Sequence, residues 1–130
     1  MFLKKQSTAS RLMKPELTVI LPVYNEEKRI EKTINSWITI IKAHTGSEIL
    51  VINDGSTDKT NQRLKKLNQR HKFLNVIHKK NEGHGKTILL GYEKAIQTKH
   101  DWVFQTDSDG HFFPKDFEKL WEKRKTPILY

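Results

Sequence analysis

Short apolar runs, often rich in β-branched residues, alternate with helical patterns along the chain from Leu17 onward. The runs are almost continuously apolar, which is typical of strands buried on both faces of a sheet. Between them, apolar residues recur every three or four positions, as on one face of a helix. The pattern predicts four βα units, with strands at LTVILP (17–22), EILVIN (48–53), FLNVIH (73–78) and DWVFQT (101–106).

The predicted helices begin at familiar signals. Asn25 is the expected cap of the first helix, the second covers 59–71, and Pro114 is the expected first residue of the fourth. Helical spacing then predicts which side chains face inward. These are Ile30, Ile34, Trp37, Ile38 and Ile41 in the first helix, Leu64 and Leu67 in the second, and Ile88, Leu89, Tyr92 and Ile96 in the third.

Four βα units joined by right-handed crossovers predict the fold class. It is an α/β, doubly wound, mainly parallel sheet with helices on both faces, as in Rossmann-like folds. Ligands bind such sheets at the carboxyl ends of the strands. We expect one domain over residues 16–125, with 1–15 a basic, flexible arm and 126–130 a short tail.

The positive net charge of the chain favours an anionic binding partner. The chain has 24 Lys and Arg against 15 Asp and Glu, a net charge of +9. Because the basic residues are spread over several predicted helices, nucleic acid is not the expected partner and stays an alternative. The first 14 residues are basic and contain no acid. We expect a disordered arm, with peripheral contact to an anionic membrane surface as the alternative.

The absence of cysteine excludes disulfides and thiolate chemistry and fits a reducing compartment. No apolar run approaches the roughly 20 residues that span a bilayer. We therefore expect a cytoplasmic protein, with the cytoplasmic membrane surface as an alternative location.

The unusual polar residues all follow predicted strands, and so should meet at one edge of the sheet. Singly, each can be read as a helix cap or turn residue. They are Tyr24, Asn25 and Glu26 after the first strand, Asp54, Ser56, Thr57 and Asp58 after the second, NEGHGK (81–86) after the third, and Asp107 and Asp109 after the fourth.

Asp107 and Asp109, two residues apart where a strand becomes a loop, can both approach one hard divalent cation. Water and substrate phosphates would supply the remaining ligands, as they usually do for Mg²⁺. The alternative is a pair of solvated turn acids.

The segment after the third strand resembles the end of a phosphate-binding P-loop, because Gly85, Lys86 and Thr87 match its final residues. However, Lys80 stands where the pattern requires its first glycine. A P-loop NTPase is therefore a weaker alternative, in which Thr87 would bind Mg²⁺.

Taken in order, LTVILPVYNEE, ILVINDGSTDKT, NEGHGKTILLGYEKA and FQTDSDGHFFPKDF resemble the nucleotide-binding half of family-2 glycosyltransferases, which have the GT-A fold. The polyprenyl-phosphate sugar transferases, such as the dolichyl-phosphate mannose synthases, are most similar. The resemblance implies binding of a UDP- or GDP-linked sugar with Mg²⁺ or Mn²⁺. It implies donor-binding roles for Pro22, Tyr24, Asn25, Glu26, Asp54, Ser56, Lys86, Asp107, Ser108 and Asp109, and metal binding by Asp107 and Asp109.

Within that set, the resemblance implies that Asp54 contacts the base and that Lys86 lies near the donor's phosphates or sugar. His84 and His111 have no assigned role, although either could approach the donor. In the family, the chain beyond the DxD motif supplies the acceptor site and the catalytic base, and no matching segment precedes Tyr130.

The expected function is donor binding for inverting transfer to a lipid phosphate or a saccharide. We expect no transfer by these 130 residues alone, since the acceptor half is absent. A non-catalytic nucleotide-sugar-binding or regulatory module is the alternative from a different class.

Overall fold

The computed structural model describes residues 2–4, 17–109 and 112–124. Within these residues, the strands are β1 (Phe2–Lys4), β2 (Leu17–Val23), β3 (Glu48–Asp54), β4 (Leu74–Lys79) and β5 (Trp102–Gln105). The helices are α1 (Ile30–Ala43), α2 (Thr60–Arg70), α3 (His84–Ile96) and α4 (Phe117–Lys123), the last preceded by a 3₁₀ turn at Pro114–Asp116. The four predicted βα units are present.

The strands form one sheet in the order β1-β5-β2-β3-β4. Strands β2 to β5 run parallel, which confirms the predicted doubly wound α/β fold. Successive side chains of β2 alternate between the faces of the sheet. Leu21 packs in the core with α1, α2 and α4, whereas Ile20 packs in the core with α3. Helices therefore cover both faces, and the loops that follow the parallel strands share one edge.

The edge strand β1 differs from the expectation of a flexible arm over residues 1–15. It pairs antiparallel with β5. Phe2 explains this placement, because its ring lies 4.8 Å from that of Phe104 and 5.5 Å from that of Phe117, centroid to centroid. Aromatic burial of this kind stabilises an otherwise basic segment. Residues 5–15, and the predicted tail at 126–130, lie outside the described residues.

Asn25 does not cap the first helix, contrary to the prediction. Helix α1 begins at Ile30, and its N-cap position, Arg29, makes no side-chain capping hydrogen bond. Asn25 lies instead in the left-handed region, with φ of 50°. Its side-chain oxygen accepts hydrogen bonds from the next loop, so the residue joins two loops rather than starting a helix.

The inward faces of two helices also differ from the prediction. In α1, Ile40 is buried where Ile38 was expected. In α3, the buried residues are Thr87, Gly91 and Ala95, whereas Leu89 and Ile96 are each 58% exposed. Small side chains face the sheet because the bulky isoleucines of β2 and β3 already fill the space beneath the helix.

Gly91 should be the least replaceable residue of α3. A methyl group there would lie 2.6 Å from Ile20 Cγ2, a fully buried branched side chain. We expect Gly91→Ala to lower the free energy of unfolding, because overpacking costs about 1–3 kcal/mol and the gain in helix propensity is only about 0.5–1 kcal/mol. Urea denaturation measures the difference.

The matched control is Gly85→Ala in the first turn of the same helix. Outside that helix, no atom of the described residues lies within 4 Å of the added methyl group. This variant should be neutral or slightly stabilised. Equal stability of the two variants would contradict the close packing assigned to Gly91.

Candidate functional site

Hydrogen bonds join the loops that follow β2 and β3. Asn25 Oδ1 accepts from the backbone N–H of Thr57 at 2.7 Å, and the Asn25 N–H donates to Ser56 Oγ at 3.0 Å. The Glu26 N–H donates to Thr60 Oγ1 at 2.9 Å. Asn25 and Ser56, two predicted donor-binding residues, are thus engaged in shaping the edge of the sheet.

A buried asparagine supports the same turn. Asn53 Oδ1 accepts the Ser56 hydroxyl at 2.6 Å, and its amide group lies against Asn61 and 3.0 Å from His78 Nδ1. Both Asn53 and Ser56 are at most 9% exposed. A polar network of this kind is stable when its members have partners, so it fixes the conformation of the turn.

Asp54, at the end of β3, forms a nearly buried ion pair with Lys79. The Lys79 Nζ lies 2.9 Å from Asp54 Oδ1, and the two side chains are 10% and 7% exposed. The Glu82 backbone N–H donates to the same oxygen at 3.0 Å. Lys79 also lies 3.1 Å from a carboxylate oxygen of Glu82, so one ammonium group joins β3 to the loop after β4.

These contacts keep the Asp54 carboxylate ionised. Burial raises its pKa. Hydrogen bonds with Lys79, the Glu82 N–H and Thr87, together with the charge of Lys79, outweigh burial and leave the pKa below the ordinary value. Burial lowers the pKa of Lys79, and the bonds to Asp54 and Glu82 more than reverse that effect. The wall of the site therefore presents a fixed acceptor.

The loop after β4 approaches the turn after β3 closely. A side chain at Gly55, whose φ is 69°, would lie 2.6 Å from the backbone nitrogen of Asn81. Gly83 has φ of 97° and leads into α3. Thr87, nearly fully buried, donates its hydroxyl to the Gly83 carbonyl at 2.8 Å. This hydroxyl is therefore engaged within the protein, which disfavours the metal-binding role that the P-loop alternative would give it.

A cleft of about 220 Å³ opens at this edge of the sheet. It brings together three of the predicted donor-binding residues, Pro22, Tyr24 and Asp54. Lys86 does not line the cleft; its side chain is 70% exposed, 3.9 Å from Glu82. The full lining is Pro22, Val23, Tyr24, Asp54, Asn81, Gly83, His84 and Thr87.

The Asp107–Asp109 segment lies beside this cleft. His84 Nε2, in the cleft wall, is 3.4 Å from Asp107 Oδ1, and the Asp107 side chain is 54% exposed. Ser108 is buried and donates its hydroxyl to the Pro22 carbonyl at 2.9 Å. Ser108 thus holds the segment against the end of β2. His111 lies outside the described residues.

Three acidic residues, Glu26, Asp58 and Asp109, lie near one another on the other side of the Asp107–Asp109 segment. Burial raises the pKa of Glu26; Arg29 opposes this, and the negative charges of Asp109 and Asp58 raise it further. The Arg29 guanidinium donates to the backbone carbonyl of Asp109 at 2.8 Å. The predicted donor-binding residue Glu26 and the predicted metal ligand Asp109 are therefore close enough to interact.

The chemistry of this donor set fits a divalent cation. Among the described residues, no three His, Cys, Asp or Glu side chains form a complete metal site. Mg²⁺ and Mn²⁺ need only one or two protein carboxylates when water and phosphate oxygens complete the shell. Asp107, which is accessible beside the cleft, and Asp109 meet that requirement.

Sequence reasoning missed Lys79 and Arg29. Lys79 is paired with Asp54 in the parallel register of β3 and β4, which places the two side chains next to each other. The sequence did contain a signal for this ion pair, because Asp54 and Lys79 stand at the ends of neighbouring strands. No sequence signal indicated the contact made by Arg29, because the position of Arg29 depends on the path of the loop after β2.

The mostly parallel five-stranded sheet with helices on both faces has the GT-A glycosyltransferase fold, as its match to solved glycosyltransferase structures shows. Residues 18–127 match Glycosyl transferase family 2. The chain belongs to this family.

Relatives and solved structures agree with this assignment. The chain is 30% identical over 115 residues to the UDP-N-acetylglucosamine–dolichyl-phosphate N-acetylglucosaminyltransferase of Methanococcus voltae, covering 78% of this chain and 44% of that protein. It is similar to S. aureus TarS 1-349 in complex with UDP, with a TM-score of 0.66, 28% identity, and coverage of 82% of this chain and 31% of that one.

The chain is also similar to glucosyl-3-phosphoglycerate synthase from Mycobacterium tuberculosis in complex with Mn²⁺, UDP and phosphoglyceric acid. That structure gives a TM-score of 0.66 at 25% identity and covers 86% of this chain and 39% of that one. The chain thus spans less than half the length of each of these proteins. None of the helices in the described part of the chain is long and apolar enough to cross a membrane.

Removal of Lys79 should change how stability depends on pH. Because the pKa of Asp54 is lower in the folded chain than the unfolded value of about 3.9, its ionised form stabilises the fold above that pH. This contribution is lost as the pH falls through the folded pKa. In Lys79→Met the pKa of Asp54 should rise, so the loss of stability on acidification should be smaller than in the parent chain.

Urea denaturation between about pH 6 and pH 2.5, a range chosen to bracket the carboxylate pKa values, measures this. Lys80→Met is the control, since Lys80 is exposed and adjacent. Asp58, whose pKa is also lowered, keeps some acid dependence in every variant. Identical pH profiles for the two variants would show that the ion pair does not hold Asp54 ionised.

Proposed function

We propose that this chain binds the nucleoside diphosphate of a UDP- or GDP-linked sugar, with Mg²⁺ or Mn²⁺, for inverting sugar transfer to a lipid phosphate or a saccharide. One observation carries the proposal. A cleft at the carboxyl edge is lined by Asp54 and by the loops after β2 and β4, and His84 in its wall lies 3.4 Å from Asp107. The ligands bound in the solved relatives, UDP alone in one and UDP with Mn²⁺ in another, support it.

The base would bind at Asp54. An ionised carboxylate accepts hydrogen bonds and donates none. Uracil and guanine each present a ring N–H on the Watson–Crick edge, whereas adenine and cytosine present a bare ring nitrogen there. The Lys79 ammonium and the Glu82 N–H hold the carboxylate in place, so Asp54 favours the first two bases.

The diphosphate would lie toward Asp107 and Asp109, which would hold the cation. When bound, Mg²⁺ or Mn²⁺ stabilises negative charge on a departing nucleoside diphosphate. Ser108, which lies between the two aspartates in sequence, anchors the segment to the end of β2 by its bond to the Pro22 carbonyl. Tyr24, which is about half exposed in the cleft wall, would cover the nucleoside.

For the acceptor, we propose a chemical class and no particular molecule. The dolichyl-phosphate sugar transferase of Methanococcus voltae supports a lipid phosphate. A saccharide acceptor is the second candidate. The alternative of a non-catalytic nucleotide-sugar-binding module uses the same cleft and differs in having no acceptor.

Nucleotide binding should depend on a divalent cation. We expect UDP or GDP to bind about tenfold or more tightly with Mn²⁺ than with EDTA, because the cation offsets charge on the diphosphate. Asp107→Asn and Asp109→Asn should remove most of this difference without changing the midpoint of thermal unfolding. Isothermal titration calorimetry measures the affinity. Glu93→Gln, an exposed acid on α3, is the charge-matched control. Equal affinity in Mn²⁺ and EDTA would exclude the metal assignment.

Base selectivity should depend on Asp54. In the parent chain, UDP or GDP should bind more tightly than CDP and ADP, and Asp54→Asn should reduce that preference about tenfold, the value of one hydrogen bond to a charged group. The change should be the same with and without Mn²⁺. If the variant discriminated among the four nucleotides as the parent does, Asp54 would not contact the base.

A further inference from the structure

A row of basic side chains runs along α2, away from the cleft. Lys59, Arg63, Lys66 and Arg70 are four, three and four positions apart, so they share one face of the helix. The structure places all four around a groove of about 340 Å³ together with Glu31 of α1. We call these four residues the α2 stripe. The sequence predicts basic residues spread over several helices rather than on one face, whereas these four form one row.

We propose that the α2 stripe docks the protein onto the surface of an anionic phospholipid bilayer. The stripe runs from Lys59 to Arg70, 12 residues, or about 16 Å at the rise of an α-helix. Basic residues near an anionic membrane surface each contribute about fivefold in affinity. A row of four is therefore enough for reversible binding to a charged bilayer.

The surroundings of the stripe are strongly one-sided in charge. Between residues 59 and 72 the sequence has six Lys and Arg residues and no Asp or Glu. Among the residues that line the groove, Glu31 is the one acid, and its carboxylate lies 3.6 Å from the Arg70 guanidinium. Both side chains of that pair are more than half exposed, so the contact leaves Arg70 available to phosphate.

The packing of α2 favours a bilayer over a nucleic acid. Leu64 and Leu67 of this helix are buried in the core with α1, so α2 cannot enter a nucleic-acid groove by itself. The segment 59–72 contains no Phe, Tyr or Trp to stack on bases. A row of lysine and arginine side chains on an outer face needs only a surface of diffuse negative charge.

The α2 stripe begins next to the edge of the proposed nucleotide site, so docking would also position that edge relative to the bilayer. Lys59 follows Asp58, whose carboxylate accepts the Glu27 N–H at the edge of the site. A bilayer against α2 would therefore bring this edge beside the lipid headgroups, where a lipid-phosphate acceptor would lie. The docking itself does not rest on the proposed function, since it requires no nucleotide.

Sedimentation with lipid vesicles tests the proposal, using the full chain without nucleotide. It should bind vesicles of mixed phosphatidylcholine and phosphatidylglycerol and not vesicles of phosphatidylcholine alone. Arg63→Gln with Lys66→Gln should weaken binding about 25-fold, at about fivefold for each charge. Glu31→Gln should strengthen it about fivefold, because it removes the acid from the groove.

The matched control is Lys94→Gln with Lys99→Gln, which removes the same charge. Both residues are exposed; Lys94 is on α3, across the sheet from α2, and Lys99 follows that helix. This control should lose less than about threefold, because exposed charges act over roughly a Debye length of 8 Å. Thermal unfolding should be unchanged in all variants.

Three results would overturn the proposal. They are equal binding to both kinds of vesicle, equal losses in the two double variants, and displacement of the protein from anionic vesicles by duplex DNA with the same dependence on Arg63 and Lys66. Each can be read whether or not the cleft binds a nucleotide, so failure of the docking is distinct from failure of the proposed function.

Discussion

The ion pair between Asp54 and Lys79 connects the fold to the site. The two residues face each other at the last paired position of β3 and β4, where the sheet ends and the loops begin. Breaking such a pair leaves one charge poorly solvated, so the geometry is strongly preferred once both residues are present. Through Glu82, the same lysine fixes the loop that forms one wall of the cleft. A contact that stabilises the strand ends thereby also orients the acceptor of the proposed nucleotide site.

The strands were the most predictable elements, because residues buried on both faces leave little ambiguity. The observed β2 and β3 each differ from the predicted runs by a single residue, Val23 or Asp54, at the carboxyl end. Helix faces were less predictable. In α3 the packing surface is made of Thr87, Gly91 and Ala95, which a search for large apolar residues does not find.

The sequence predicted the location of the site better than it predicted the contacts within the site. The polar residues that follow the parallel strands do lie at one edge, as the topology requires. Their individual roles depended on loop conformation. Asn25 spans two loops because its backbone adopts φ of 50°, and Ser108 turns toward the Pro22 carbonyl. Neither property follows from the spacing of residues along a chain, and Lys79 required the register of two strands.

The charge distribution of the site has a further consequence for how a donor would bind. Glu26, Asp58 and Asp109 lie close enough together that the charges of the other two raise the pKa of Glu26. A diphosphate approaching this edge alone would meet like charge, although the protein as a whole has a net charge of +9. Arg29, which donates to the Asp109 carbonyl and opposes the rise in the Glu26 pKa, offsets part of this repulsion. Other basic residues are engaged in the Asp54 ion pair or lie along the α2 stripe.

If the proposed donor binds here, its affinity and that of the cation must therefore be coupled. Each ligand lowers the electrostatic cost of binding the other, and linkage makes the two effects equal in free energy. A site that used lysine for the phosphates would lack this coupling. Glu26, Asp58 and Asp109 lie together against the charge of Arg29, and this excess of carboxylates makes a divalent metal the physically expected partner of the diphosphate.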